Sequence, residues 1–130
     1  MATWTDVRRL ALALPETTER LTRELRHWYV SDKLFVWERP LRKKDLDELG
    51  DAAPRGAVLG VRVDDLDAKD ALLAADPRRL FTTAHFDGYP AILVRLEEIA
   101  RVDLKRLIVD AWLARAPRAV AKRFVERGGR

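Results

Sequence analysis

The stretch Arg26-His27-Trp28-Tyr29-Val30-Ser31-Asp32-Lys33-Leu34-Phe35-Val36-Trp37-Glu38-Arg39 decides the fold. Its aromatic and β-branched residues suit the pleated, half-buried surface of a sheet. Only Ser31-Asp32 parts the two runs, so they read as a β-hairpin and the sheet begins antiparallel. The turn lacks the glycine that two-residue hairpin turns favour, which predicts a looser loop. Strict alternation puts Leu34 and Val36 on one face of the second strand and Phe35 and Trp37 on the other, so both faces are at least partly covered.

On the N-terminal side, Trp4, Val7, Leu10, Ala11 and Leu14 recur at helical spacing behind a Thr3/Asp6 capping pattern, and Pro15 ends that helix. Residues 16–25 are mostly charged, with Leu21 and Leu25 the apolar exceptions, and read as a short helical turn or a loop. On the other side Pro40 closes the strand, and 41–50 holds one or two helical turns. Ala57–Val63 is a third strand. Asp65 or Asp67 caps a helix through Ala75, and Phe81–Ala84 and Ala91–Leu96 are short strands. Asp103 caps a helix with Leu104, Leu107, Ile108, Ala111 and Trp112 on one stripe, and Pro117 opens a last helix with Val120 and Phe124 inward. The expected fold is α+β: one two-layer domain over 1–130, an antiparallel sheet of about five strands with helices on one side, in the order α-β-β-β-α-β-β-α(-α).

Composition narrows the chemistry. The 130 residues contain no Cys, Asn or Gln, and Ser31 is the lone serine. That removes disulfides, thiol nucleophiles and thiolate metal sites together. No apolar run approaches the roughly 18 residues of a membrane span, and the N-terminus lacks a signal-peptide pattern, so a soluble cytoplasmic protein is expected. Charge is uneven. Residues 1–100 hold 16 Lys/Arg against 18 Asp/Glu, whereas 101–130 hold 9 against 3. A basic helical segment on a near-neutral body suits a polyanion, or simply a solvated face.

Hydrolytic motifs are missing: there is no Gly-x-Ser-x-Gly elbow, phosphate-binding glycine loop or dinucleotide fingerprint. Glu24-x-x-His27 would be half of a helical metal site, but no second such pair exists and His27 enters a strand. His85 with Asp87 could act as a general base. The packing alternative makes His85 a bridge from a strand end to the loop backbone, with Phe86 and Tyr89 filling the core edge, Gly88 supplying positive φ and Pro90 fixing the exit. The packing alternative is the expected one. Trp28, Tyr29, Phe35 and Trp37 suit base stacking or, more commonly, the interior of a sheet. Lys33, Arg39, Arg42, Lys43 and Lys44 edge the hairpin, and Arg115, Arg118 and Lys122 would align if the C-terminal helices are continuous.

Several segments in this order resemble the MmcQ/YjbR family: Val7–Pro15, Lys33–Trp37, Gly60–Val63, Leu72–Pro77, Phe81–Pro90, Val94–Leu96 and Ala111–Arg118. Together they cover nearly the whole chain. The resemblance implies the same helix–three strands–helix–two strands–helix domain and DNA binding, by analogy with a double-wing arrangement of hairpins. It carries no catalytic residues. Ser31-Asp32 stands where the family's turn often has glycine, and Ala84 where a proline often precedes the histidine.

The resulting expectation is a small non-enzymatic protein without cofactor or metal, favoured as a monomer and without a membrane partner. It binds DNA mainly non-specifically through backbone phosphates, using Lys33, Arg39, Arg42, Lys43, Lys44, Arg118, Lys122 and Arg123. One alternative is a protein- or peptide-interaction module of secretion-chaperone-like architecture with exposed Trp28, Phe35 and Trp37. The other is a small-molecule pocket at His85, Asp87 and Tyr89.

Overall fold

The aromatic stretch forms the hairpin of β2 (Leu25–Val30) and β3 (Lys33–Glu38) in a computed structural model that describes residues 1–129. Its turn is tight rather than loose. Val30 pairs with Lys33, and Ser31 and Asp32 adopt φ of 45° and 68°, the left-handed values that match a two-residue turn to strand twist. Neighbours offset the strain that glycine would avoid. The Ser31 N–H donates to the Glu16 carbonyl at 3.1 Å, its hydroxyl donates to Glu16 Oε1 at 3.0 Å, and Asp32 ion-pairs with Arg20.

Residues 16–25 are neither helical turn nor open loop. Thr17–Thr22 is a strand, β1, antiparallel to β2 through a second glycine-free turn with Arg23 and Glu24 at φ 53° and 67°. It lies at the sheet edge, where charged and polar residues guard against pairing with other chains, so it need not show hydrophobic alternation. With β4 (Val58–Arg62), β5 (Leu80–Phe81) and β6 (Ala91–Arg95) the sheet has six strands, in the order β1-β2-β3-β4-β6-β5, all antiparallel. β5 is shorter than expected, because the chain leaves the sheet for a 3₁₀ turn at Ala84–Phe86.

Side-chain facing in β3 also departs from alternation. Trp28 lies opposite Val36 and Tyr29 opposite Leu34, which leaves Phe35 as an extra residue. This bulge shifts the alternation by one. Phe35 and Val36 therefore enter the same core as Trp28 and Val30, while Leu34 and Trp37 share the opposite face.

The front face is closed by helices. α1 (Trp4–Leu12) starts at the Thr3/Asp6 capping box, with the Asp6 N–H donating to Thr3 Oγ1 and the Thr3 N–H donating to Asp6 Oδ2. α4 (Arg101–Arg115) begins before Asp103, which sits in its first turn, where a carboxylate favours the helix dipole. Pro117 opens α5 (Arg118–Glu126) as expected, and the two helices are separate. Val7, Ala11, Leu104, Ile108, Trp112 and Val120 meet the front-facing strand residues in one core, joined at its margin by Leu72 and Leu73 of α3 (Leu66–Ala75).

The helices are not confined to that side. Leu49 of α2 (Lys43–Leu49) packs behind the sheet with Trp37, Val58, Phe81, Phe86, Ala91 and Leu93. Gly60 makes room there, since a Cβ on it would lie 2.3 Å from the Trp37 ring. This back layer covers the β4–β6–β5 half. Across β1 to β3 the back face is open: Thr18, Arg20 and Thr22 are exposed, and Leu25, His27, Tyr29 and Leu34 half-buried.

Candidate functional site

The edge of the back layer forms one wall of a groove of about 670 Å³ over the open face. Leu25, His27, Leu34 and Trp37 come from β2 and β3, and His85, Phe86 and Tyr89 from the β5–β6 connection. Phe86 is the hub. Its ring centroid lies 6.3 Å from both Trp37 and Tyr89, His85 stands edge-on at 4.9 Å, and the Arg39 guanidinium sits 5.2 Å above it.

Two residues that the sequence reading did not single out hold this wall. Lys69 of α3 is buried and its ammonium donates to the carbonyls of Phe86 at 2.6 Å and Tyr89 at 2.9 Å. Burial pushes that ammonium below the usual lysine range, against the opposing pull of Asp87 and Asp70. Glu48 of α2 accepts the Ala84 N–H with both carboxylate oxygens at 3.1 Å. Lys69 was detectable in principle, because it stands three and four residues before Leu72 and Leu73 on the inward stripe of α3.

The expected pocket residues divide. Tyr89 and His85 line the groove, whereas the exposed Asp87 lies outside it. His85 is exposed too, so bridging the loop backbone falls to Lys69 and not to the imidazole. Gly88 does supply the positive φ, 72°. His27 faces the same groove, its Nδ1 3.0 Å from the Leu25 carbonyl, so both histidines of the chain border one cavity. Glu24 sits in the β1–β2 turn, and no helical Glu24/His27 pair forms.

The basic residues divide as well. Arg39, expected at a phosphate-binding edge, is buried. It donates to Asp45 Oδ2 at 3.1 Å and to the Pro40 carbonyl at 2.5 Å. Burial alone would raise the Asp45 carboxyl, but the Arg42 N–H and the Arg39 guanidinium hold it below the usual aspartate range. Arg39 is thus an internal latch. Arg42 lines the groove, with exposed Lys43 and Lys44 following at the start of α2. Lys33 is exposed at the far end of β3. Arg118, Lys122 and Arg123 are exposed on α5, whose Phe124 packs 4.8 Å from Trp112 in the front layer, and Arg123 lies 3.6 Å from Glu16. The expected cations therefore occupy two layers; Arg39 and Arg42 line the groove, and Lys43 and Lys44 follow Arg42 in the chain without lining it. Trp28 and Phe35 are fully buried and Trp37 nearly so, which makes them core, not an exposed docking patch.

Residues 12–114 match the YjbR family model. Two proteins of Mycobacterium tuberculosis strains and one of Mycobacterium bovis, each described as uncharacterized, are 48% identical over 132 residues, spanning 99% of this chain and all of theirs. The crystal structure of Deinococcus radiodurans protein DR2400, a DUF419 domain, aligns with a TM-score of 0.66 at 19% identity, over all of this chain and 91% of that one. That likeness concerns the fold.

Proposed function

We propose, for a chain that belongs to the YjbR family, a non-enzymatic role in binding DNA, mainly non-specifically, through backbone phosphates along the cationic rim of the back-face groove. The observation that carries this reading is the lining itself. Arg23 and Arg42 share the lining with His27, His85 and Tyr89 beside an open sheet face, and Glu38 is its one acidic member. Cations that track phosphates beside rings that accept an unstacked base are the two elements of sequence-tolerant single-strand binding. Without Asn or Gln the chain lacks the usual bidentate partners for adenine, which fits a protein that follows the backbone. A non-enzymatic role is supported by the groove lining, which holds His85 without Asp87 and includes no serine.

Fluorescence anisotropy with single-stranded and duplex oligonucleotides tests this across salt. Affinity should fall steeply with salt, the slope losing about 0.7 per phosphate contact removed from a single strand. Lys43→Glu with Lys44→Glu should weaken binding more than Arg118→Glu with Lys122→Glu. Absence of binding at about 50 mM salt, or binding without a salt slope, would sink the proposal.

A further inference from the structure

Two arginines from distant parts of the chain, outside the groove lining themselves, each hold a residue that lines it: Arg62 reaches Tyr89 and Arg115 reaches Leu34. Arg62 leaves the end of β4 and Arg115 the last turn of α4. Neutral oxygens aim both. Arg62 donates from Nε to the Pro90 carbonyl at 3.1 Å and from Nη1 to the Tyr89 hydroxyl at 3.0 Å, with its guanidinium 4.8 Å over the Tyr89 ring. Arg115 donates from Nε to the Leu34 carbonyl at 3.1 Å. Both are partly buried, and burial followed by the nearby charge of Arg62 makes the Arg115 cation harder to hold.

Two other arginines drawn into the fold meet carboxylates, while the half-buried Arg95 donates to the Ala52 carbonyl at 2.8 Å and lies over the Phe81 ring. Arg26 lies 3.1 Å from Glu38, and Arg39 3.1 Å from Asp45. Arg62 and Arg115 are instead anchored by carbonyls and a phenol, and Arg115 makes its hydrogen bond through Nε, not through its terminal nitrogens. Planar guanidinium forks held in this way match the oxygens of a phosphate. Arg62 also borders a neighbouring cleft that includes Asp64 and Asp110, so the larger effect belongs to Arg115.

We infer that Arg62, Arg115 and Tyr89 form a subsite for a phosphate ester at the mouth of the groove, leaving the attached sugar or base to face the His27–His85 lining. The site deepens the nucleic-acid reading, on which it rests only for the source of the phosphate. That source is either an internal phosphodiester or a terminal monoester.

The first test is NMR of the arginine Nε–Hε groups of the unmodified protein, titrated with inorganic phosphate at constant ionic strength. Saturable shifts are expected at Arg62 and Arg115. The second is anisotropy with a single-stranded oligonucleotide carrying or lacking a 5′-phosphate. Arg115→Lys, which keeps the charge but loses the fork, should weaken binding about tenfold, and Arg62→Lys somewhat less. A preference for the 5′-phosphorylated strand identifies a terminal monoester, and indifference identifies an internal phosphate. Flat titrations at both arginines, or lysine variants that bind like the original, overturn the subsite. Should the oligonucleotide bind with its full salt slope in that case, the nucleic-acid reading stands without the subsite. Saturable phosphate shifts with no oligonucleotide binding leave the subsite standing and remove the nucleic acid. If Arg115→Lys disturbs the fold, the titration of the unmodified protein still decides.

Discussion

The two faces of the sheet are held by different physics. The front is closed by apolar surface, with Trp28, Phe35, Ile108 and Trp112 fully out of solvent between strands and helices. Hydrophobic burial is non-directional, so it makes that side stable without fixing any particular side chain for outside use. The back has a smaller apolar cluster and adds directional contacts to it: Arg39 to Asp45, Lys69 to two carbonyls, and Glu48 to the Ala84 N–H. Such contacts fix angles as well as distances. They place the groove wall, and they lie beside the half of the sheet that stays open.

The sharpest way to break this contrast is Asp45→Ala. It strands the buried Arg39 guanidinium without its counter-charge, which typically costs about 3–5 kcal/mol. Replacing both partners, Arg39→Met with Asp45→Leu, should recover most of that loss, because the cost arises from the unpaired charge. Denaturant melts of the three proteins decide it, and a double variant as unstable as the single one refutes the latch. pH supplies a second handle. The folded protein holds the Asp45 carboxyl below its usual value, so between the folded and unfolded values the unfolded chain binds more protons. The stabilisation is complete above about pH 4 and lost as pH falls through the lower folded value. The double variant should show a shallower acid limb than the original.

Gly60→Ala sharpens the comparison at one position. Residues 59 and 61 of β4 face the front core, whereas a Cβ at 60 would run into the Trp37 indole. Overpacking of this kind costs about 1–3 kcal/mol. Because Trp37 lines the groove, the same change should lower oligonucleotide affinity, whereas Ile108→Val, a front-core change of about 0.5–1.5 kcal/mol, should leave affinity intact. Equal effects on binding from the two variants would mean that the faces are not independent.

The elements readable in the sequence are those with a strong local signature. Thr3/Asp6 capping, the Leu104–Trp112 stripe and the β2–β3 run each state their structure within a few residues. β1 escaped because an edge strand carries polar residues on both faces, and Thr17–Thr22 has no apolar period to detect. The Phe35 bulge escaped because a one-residue register shift leaves composition unchanged while reversing every side chain beyond it. The site suffered the same limit. Its expected cations were chosen by charge, but Arg39 turned inward and α5 lies on the other layer, while Arg62 and Arg115 converge only through tertiary packing. Arg42, Lys43, Lys44, His85 and Tyr89 did fall at the groove or beside it, since the back layer begins and ends with their segments.

The smallest expected effect lies in the turns that create the open half of the sheet. Both hairpins use left-handed residues with side chains, and they differ in support. Ser31-Asp32 is braced by Glu16 and by the Arg20 ion pair. Arg23-Glu24 has no such bracing among the described residues, and both side chains are exposed. Glycine at position 24 removes the steric cost of positive φ and adds chain entropy to the unfolded state, and the steric relief is the larger by a small margin. Glu24→Gly should therefore stabilise by about 0.5 kcal/mol. Asp32→Gly should gain nothing, because aspartate tolerates the left-handed region better and the change also discards the Arg20 contact. Paired denaturant melts resolve a difference of this size, and a destabilised Glu24→Gly would show that the β1–β2 turn is held by contacts at that side chain after all.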